Sequence, residues 1–130
     1  MKSTQTTHVI LFCHGSSDPL WAAPFRELTL ELQKTYGQDK VHLGFLERSE
    51  PDLETLVRQI AKLGAAHVKI LPVFLSAGKH LREDVPPLLV EFGKEYQDLT
   101  FELLDPVGRQ QAFMDMLESL VGHHLDSYSP

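Results

Sequence analysis

Two histidines and a glutamate follow apolar runs at three separate places in the chain. His14 comes directly after Val9-Ile10-Leu11-Phe12-Cys13, Glu47 directly after Gly44-Phe45-Leu46, and His80 shortly after Val73-Phe74-Leu75. Two imidazoles with one carboxylate suit a borderline divalent ion such as Co²⁺, Ni²⁺, Fe²⁺ or Zn²⁺, with coordination positions left open. The same groups are bases: imidazole titrates near neutrality, and a nearby carboxylate raises its basicity. Donors and cations surround them, with Ser16 and Ser17 after His14, Arg48 after Glu47, and Lys79 and Arg82 flanking His80. The set reads as a site for a divalent metal ion with open coordination positions, with Ser16 and Ser17 as donors to an anionic ligand beside it. Ser16 and Ser17 have a second reading as caps of the helix that follows.

Residues so far apart meet only if the fold brings them together. His8 to Cys13 is a short, nearly continuous apolar run, as a strand covered on both faces requires. Pro19 to Tyr36 repeats Trp21, Phe25, Leu28 and Leu32 at helical spacing, and Gly37 stops it. Val41 to Leu46 is the second strand, and Pro51 opens a second helix closed by Gly64. Val68 to Leu75 is the third strand, in which Pro72 removes a backbone donor and calls for a local irregularity. A third helix is expected from about Pro86 to Tyr96, its start set by Asp84 and the Pro86-Pro87 pair. Phe101 to Leu104 makes a fourth strand, and a last helix carries Phe113, Leu117, Leu120 and Val121.

Strands alternating with helices predict a flavodoxin-like α/β fold: a four-stranded parallel sheet in the order 2-1-3-4 with helices on both faces. Ligands in such sheets bind beyond the carboxyl ends of the strands, at the switch point between strands 1 and 3. His14, Glu47 and His80 all follow such strand ends. His14 and His80 are expected to face each other there, with Glu47 beside His14.

Composition narrows the partners. The 130 residues make one domain, 42% apolar and 23% charged, with a formal net charge of −6. That balance disfavours nucleic acid, which calls for a basic excess. The single cysteine, Cys13, forms no intramolecular disulfide and no cysteine-based zinc site, and reads as a buried thiol. No apolar run reaches the ~18 residues of a membrane span, and no hydrophobic segment follows Lys2, so a cytoplasmic location is expected. Of the remaining histidines, His42 and His67 lie within or before strands, and His123 and His124 read as a solvated helix end.

The segments His14-Gly15-Ser16, Phe45-Leu46-Glu47 and Leu71-Pro72-Val73-Phe74-Leu75-Ser76-Ala77-Gly78-Lys79-His80-Leu81-Arg82-Glu83-Asp84-Val85-Pro86 resemble the CbiX family of sirohydrochlorin chelatases. The third segment carries most of the specificity, being long and irregular, and the likeness extends over essentially the whole chain. It implies ATP-independent insertion of Co²⁺, Fe²⁺ or Ni²⁺ into sirohydrochlorin, in keeping with the lack of a P-loop pattern. Cobalt is favoured because the family name attaches to the cobalamin branch, with sirohaem synthesis the other pathway. The metal is then a substrate, and no permanently bound cofactor is expected. By the family's pattern His14 and His80 are the metal-binding and catalytic histidines and Glu47 their acidic partner. Larger relatives hold two such lobes around a cleft, so the resemblance further implies a homodimer that recreates it. Ser16, Ser17, Arg48, Lys79 and Arg82 are the expected contacts to the substrate's carboxylates.

Two other functions fit parts of this pattern. A metal or tetrapyrrole carrier would use the same ligands without turnover. A histidine-dependent phosphatase would also place a histidine after a strand, but Cys13 stands where its arginine is needed.

Overall fold

The computed structural model describes residues 6–76 and 78–126, with the backbone alone at His80. Strand β1 spans Thr6–Cys13 and alternates its side chains cleanly: Ile10 and Phe12 point to one face of the sheet, Leu11 and Cys13 to the other. Helix α1 covers Pro19–Tyr36. Asp18 caps it by accepting a hydrogen bond from the Leu20 amide at 3.0 Å, and Gly37 ends it with a φ of 120°. Strand β2 is Val41–Phe45 and helix α2 is Leu53–Ala61. Pro51 lies outside α2, against expectation: Asp52 takes the cap, receiving the Thr55 amide at 2.9 Å, and the helix follows it. Leu53, Leu56, Val57 and Ile60 are all buried, which contributes roughly 6–12 kcal/mol before conformational entropy is counted.

Strand β3 is Ala66–Pro72, so the proline ends the strand and no bulge is needed. The next amide, Val73, donates to the Phe12 carbonyl of β1 at 2.8 Å. By alternation the missing Pro72 donor faces the β4 side, beyond the last paired residues there, Ile70 and Leu103. Helix α3 is Lys79–Glu95, beginning seven residues before the expected start at Pro86. Leu81, Val85 and Phe92 form one buried stripe that runs straight through the Pro86-Pro87 pair. Burying Leu81 and Val85 is worth roughly 3–6 kcal/mol, comparable to the ~3 kcal/mol or more that an interior proline costs. Strand β4 is Leu99–Leu103, and a 3-10 turn over Val107–Arg109, which the sequence pattern did not show, leads into α4, Gln111–Asp126.

All strand pairs are parallel and the order is β2-β1-β3-β4, as expected. Two cores follow. α2 and α3 cover one face, where Ile10, Phe12, Val68, Ile70 and Leu99 meet them. α1 covers the other over Leu11, Cys13, Leu43 and Phe45. α4 contributes no buried residue to either. Among the described residues no helix is long and apolar enough to cross a membrane.

Candidate functional site at the carboxyl edge of the sheet

β1 and β2 do not separate where their regular pairing ends. The Leu46 amide donates to the Cys13 carbonyl at 2.8 Å and the Glu47 amide to the His14 carbonyl at 3.0 Å. His14 and Glu47 are therefore tied to each other through their main chains. Gly15 makes this possible. Its φ is +98°, and a Cβ built there would stand 1.7 Å from the Glu47 carbonyl oxygen, so only glycine fits.

Ser49 adds a second tie: its Oγ donates to the Ser16 carbonyl at 2.8 Å and accepts from the Ser16 amide at 3.2 Å. Sequence reasoning gave Ser49 no role. A serine three residues past a strand carries no signal until the opposing loop is in place. Between Glu47 and Ser49, Arg48 adopts a φ of 63°, uncommon for a residue with a side chain. Its Nε lies 3.5 Å from Glu47 Oε2, an exposed pair that holds both groups at the rim more than it stabilises the fold.

His14 is exposed, and its Nδ1 faces the carbonyl of Gly15 at 3.3 Å. Its ring centroid is 6.2 Å from that of Phe74, in the loop leaving β3, and Phe74 in turn packs on Phe12 at 6.1 Å. The histidine thus stands between the exits of β2 and β3, at the switch point the topology requires. Cys13, next to it, is buried, and burial pushes its thiol up to about 11, so it remains a neutral thiol beside the site.

Of the expected serines, Ser16 uses its hydroxyl to accept the Asp18 amide at 3.1 Å, while Ser17 is exposed; the cap itself is Asp18. Lys79, His80 and Arg82 sit in the first turn of α3 and not in a loop. Gly78 caps that helix without a side chain, and its first turn holds no acidic residue. The positive end of the helix dipole and two exposed cations thus point out at the same edge. The His80 side chain lies outside the described residues, so its distance to His14 and Glu47 is not part of this geometry. Among the described residues no group of three or more His, Cys, Asp or Glu could hold a metal ion. Between α2 and α3 the same edge opens into a cavity of about 170 Å³ lined by Phe12, Phe45, Leu46, Leu53, Asp84 and Val85, among others.

The arrangement supplies an exposed imidazole and carboxylate on one rigid main-chain frame, with cations and a helix N-terminus alongside. It suits exchange of a metal ion and protons with an anionic ligand. Comparison with known proteins gives this edge a context. A CbiX protein from Marinobacter aquaeolei VT8, named for cobalamin (vitamin B12) biosynthesis, superposes with a TM-score of 0.78 at 29% identity, over 93% of this chain and 98% of that one. The sirohydrochlorin cobaltochelatase of Sulfurisphaera tokodaii is 25% identical over 119 residues, 92% of this chain and 94% of its own. The chloroplastic sirohydrochlorin ferrochelatase of Arabidopsis thaliana is 24% identical over 117 residues, 90% of this chain but 52% of its own, so the chain spans about half that relative's length. The CbiX family model matches residues 8–123, from the third residue of β1 into the last turn of α4, and the frame that holds His14 against Glu47 lies wholly inside that match. The chain belongs to the CbiX family.

Proposed function

We propose that this chain inserts a divalent metal ion into sirohydrochlorin without ATP. The observation that carries the reading is the placement of His14 at the switch point, locked to Glu47 by the 3.0 Å main-chain bond between them. In this reading His14 and His80 hold the incoming ion and receive the protons that the pyrrole nitrogens lose, and Glu47 is their acidic partner. Imidazole and carboxylate without thiolate grip a borderline ion loosely enough for it to pass to the macrocycle. Lys79, Arg82, Arg48 and the open N-terminus of α3 meet the substrate's carboxylates, with Ser16 and Ser17 as further donors. Local charge at the mouth, not the net −6, decides whether a polyanion is welcome.

Cobalt is the favoured ion and Fe²⁺ the alternative, since relatives named for each occur among the matches. We further propose that two copies join to complete the site. The cavity of about 170 Å³ in one copy falls short of the ~300–1,000 Å³ of ordinary ligand sites. The reading puts the reaction in the cytoplasm, where a lone thiol such as Cys13 stays reduced.

The test is anaerobic incubation of the protein with sirohydrochlorin and Co²⁺, Fe²⁺ or Ni²⁺ in turn, followed by absorbance. Conversion of many equivalents per protein, faster than the metal-only control, is the expected result. Conversion of at most one equivalent points to a carrier, and none with any ion overturns the reading.

A further inference from the structure

Glu47 rides on a loop whose two ends return to one point. The Phe45 amide donates to the Pro51 carbonyl at 3.0 Å, and Phe45 pairs with Asp52 as an isolated parallel bridge. Residues 46–50 therefore form a closed lobe at the carboxyl edge of the sheet. Its side toward β1 is bonded to the exit of that strand, by Leu46 to Cys13, Glu47 to His14 and the two bonds between Ser49 and Ser16. Within the lobe Arg48 has a φ of 63°, a conformation that a residue with a side chain leaves readily when its neighbours let go. A lobe of this kind keeps its shape only while its ends are held.

α1 supplies a second hold through Arg26, two turns into that helix. The Arg26 guanidinium lies over the Phe45 ring, with Cζ 5.1 Å from the centroid. Nη2 of the same group donates to the Glu50 carbonyl at 3.2 Å. One planar group thus touches the residue from which the lobe leaves and the residue on which it returns. Phe45 is fully buried, and Trp21 of α1 also packs on it, at 6.5 Å between centroids, so the ring is a fixed stop. An exposed helix arginine ordinarily extends into water or pairs with a carboxylate one turn away. Three and four residues from Arg26 stand Ala22, Ala23, Thr29 and Leu30, so its own helix offers it no such partner.

We infer that Arg26 is a positioning residue for metal insertion: by clamping both ends of the lobe it sets where the Glu47 carboxylate stands relative to His14. A guanidinium suits this task and an ammonium does not, because its flat face stacks while its edge donates. The inference rests on the role given above to Glu47 as acidic partner of the histidines. It extends the site to α1, on the far side of the lobe from the strand exits.

The experiment measures steady-state metal insertion into sirohydrochlorin by Arg26→Ala and Arg26→Lys, and by Arg26→Ala combined with Glu47→Gln. Arg26→Ala is expected to lower kcat about five-fold, as the loss of one hydrogen bond does, with KM for sirohydrochlorin unchanged. Arg26→Lys should share most of that loss although it keeps the charge. Where Arg26→Ala melts too low to assay, Arg26→Lys carries the test. In the slower Glu47→Gln protein Arg26→Ala should cost nothing more, since the group it positions is gone. A merely structural role would lower the rate equally in both backgrounds, and that result overturns the inference. So does full activity in Arg26→Ala, or a raised KM there that Arg26→Lys restores, which marks a plain charge effect on the anionic substrate. Full activity in Glu47→Gln removes the role of Glu47, and the inference with it.

Discussion

Histidines stand at both ends of this sheet, and their surroundings are opposite. At the amino end His8 is buried, its ring stacked on His42 with centroids 5.3 Å apart and His8 Nδ1 3.1 Å from His42 Nε2. His42 Nε2 also lies 3.0 Å from the Asp39 carbonyl, which only accepts, so that nitrogen carries a proton and His8 Nδ1 is an acceptor. Burial holds both rings below their ordinary pKa, so they are neutral packing units. Nearby, His67 is tethered by Thr100 at 2.6 Å and Glu102 at 3.2 Å. At the carboxyl end His14 is exposed, on a backbone pinned by Gly15 and Ser49. What distinguishes the candidate catalytic ring is a rigid main chain beneath an open side chain. The structural rings are held by their own nitrogens.

The sharpest way to break this contrast is to remove rings from each end. His14→Ala and His80→Ala should each lower the rate of metal insertion by about 10²–10⁴-fold, as the loss of a positioned base or ligand does, while thermal stability stays within about 0.5 kcal/mol. Full activity in both would sink the assignment of the site. Next in size is the frame. Gly15→Ala meets both a positive φ and the Glu47 carbonyl, and should cost about 2 kcal/mol or more in thermal unfolding, with activity falling alongside. Gly78→Ala is its control, because nothing lies within 4 Å of a Cβ there, and it should be near neutral. If the two melt alike, the frame is not rigid in the way described.

The buried pair gives a smaller effect with a definite sign. The unfolded chain protonates its histidines near the ordinary 6.5, whereas His8 and His42 resist protonation when folded. The stability they confer is complete above pH 6.5 and is lost as pH falls below it. Melting curves between pH 7 and pH 5 should show that decline in the native protein and a shallower one in His8→Leu. Equal slopes would mean that the pair does not control it. The smallest expected change is in Arg82→Ala. One exposed cation is worth a few-fold in sirohydrochlorin affinity, about 0.5–1 kcal/mol. Unchanged affinity would remove Arg82 from the substrate's contacts.

How far these regions were readable beforehand follows from the kind of signal each carries. α1 is found from Pro19 to Tyr36 because its start and stop residues and its apolar spacing agree. The strand order is one of the few that right-handed crossovers allow in an alternating βα chain, and the position of His14 comes with it. α3 is misjudged because Pro86-Pro87 looks like a beginning, while the stripe of Leu81 and Val85 that overrides it is a tertiary effect. Pro51 misleads in the same way, since the cap belongs to Asp52. The role of Ser49 exists only across loops that the chain brings together on folding. The apolar spacing of α4 is plain in the sequence, but that none of its residues is buried is not.

Cys13 is the last residue of β1, buried on the sheet face that α1 covers and joined by a peptide bond to His14. A thiol reagent reaches it only when that strand or its covering helix opens. The rate of its labelling under native conditions is therefore a built-in clock for the breathing of the candidate site's edge. Binding of metal or tetrapyrrole there would register as a slowing of that clock, one atom's reactivity reporting on the whole site.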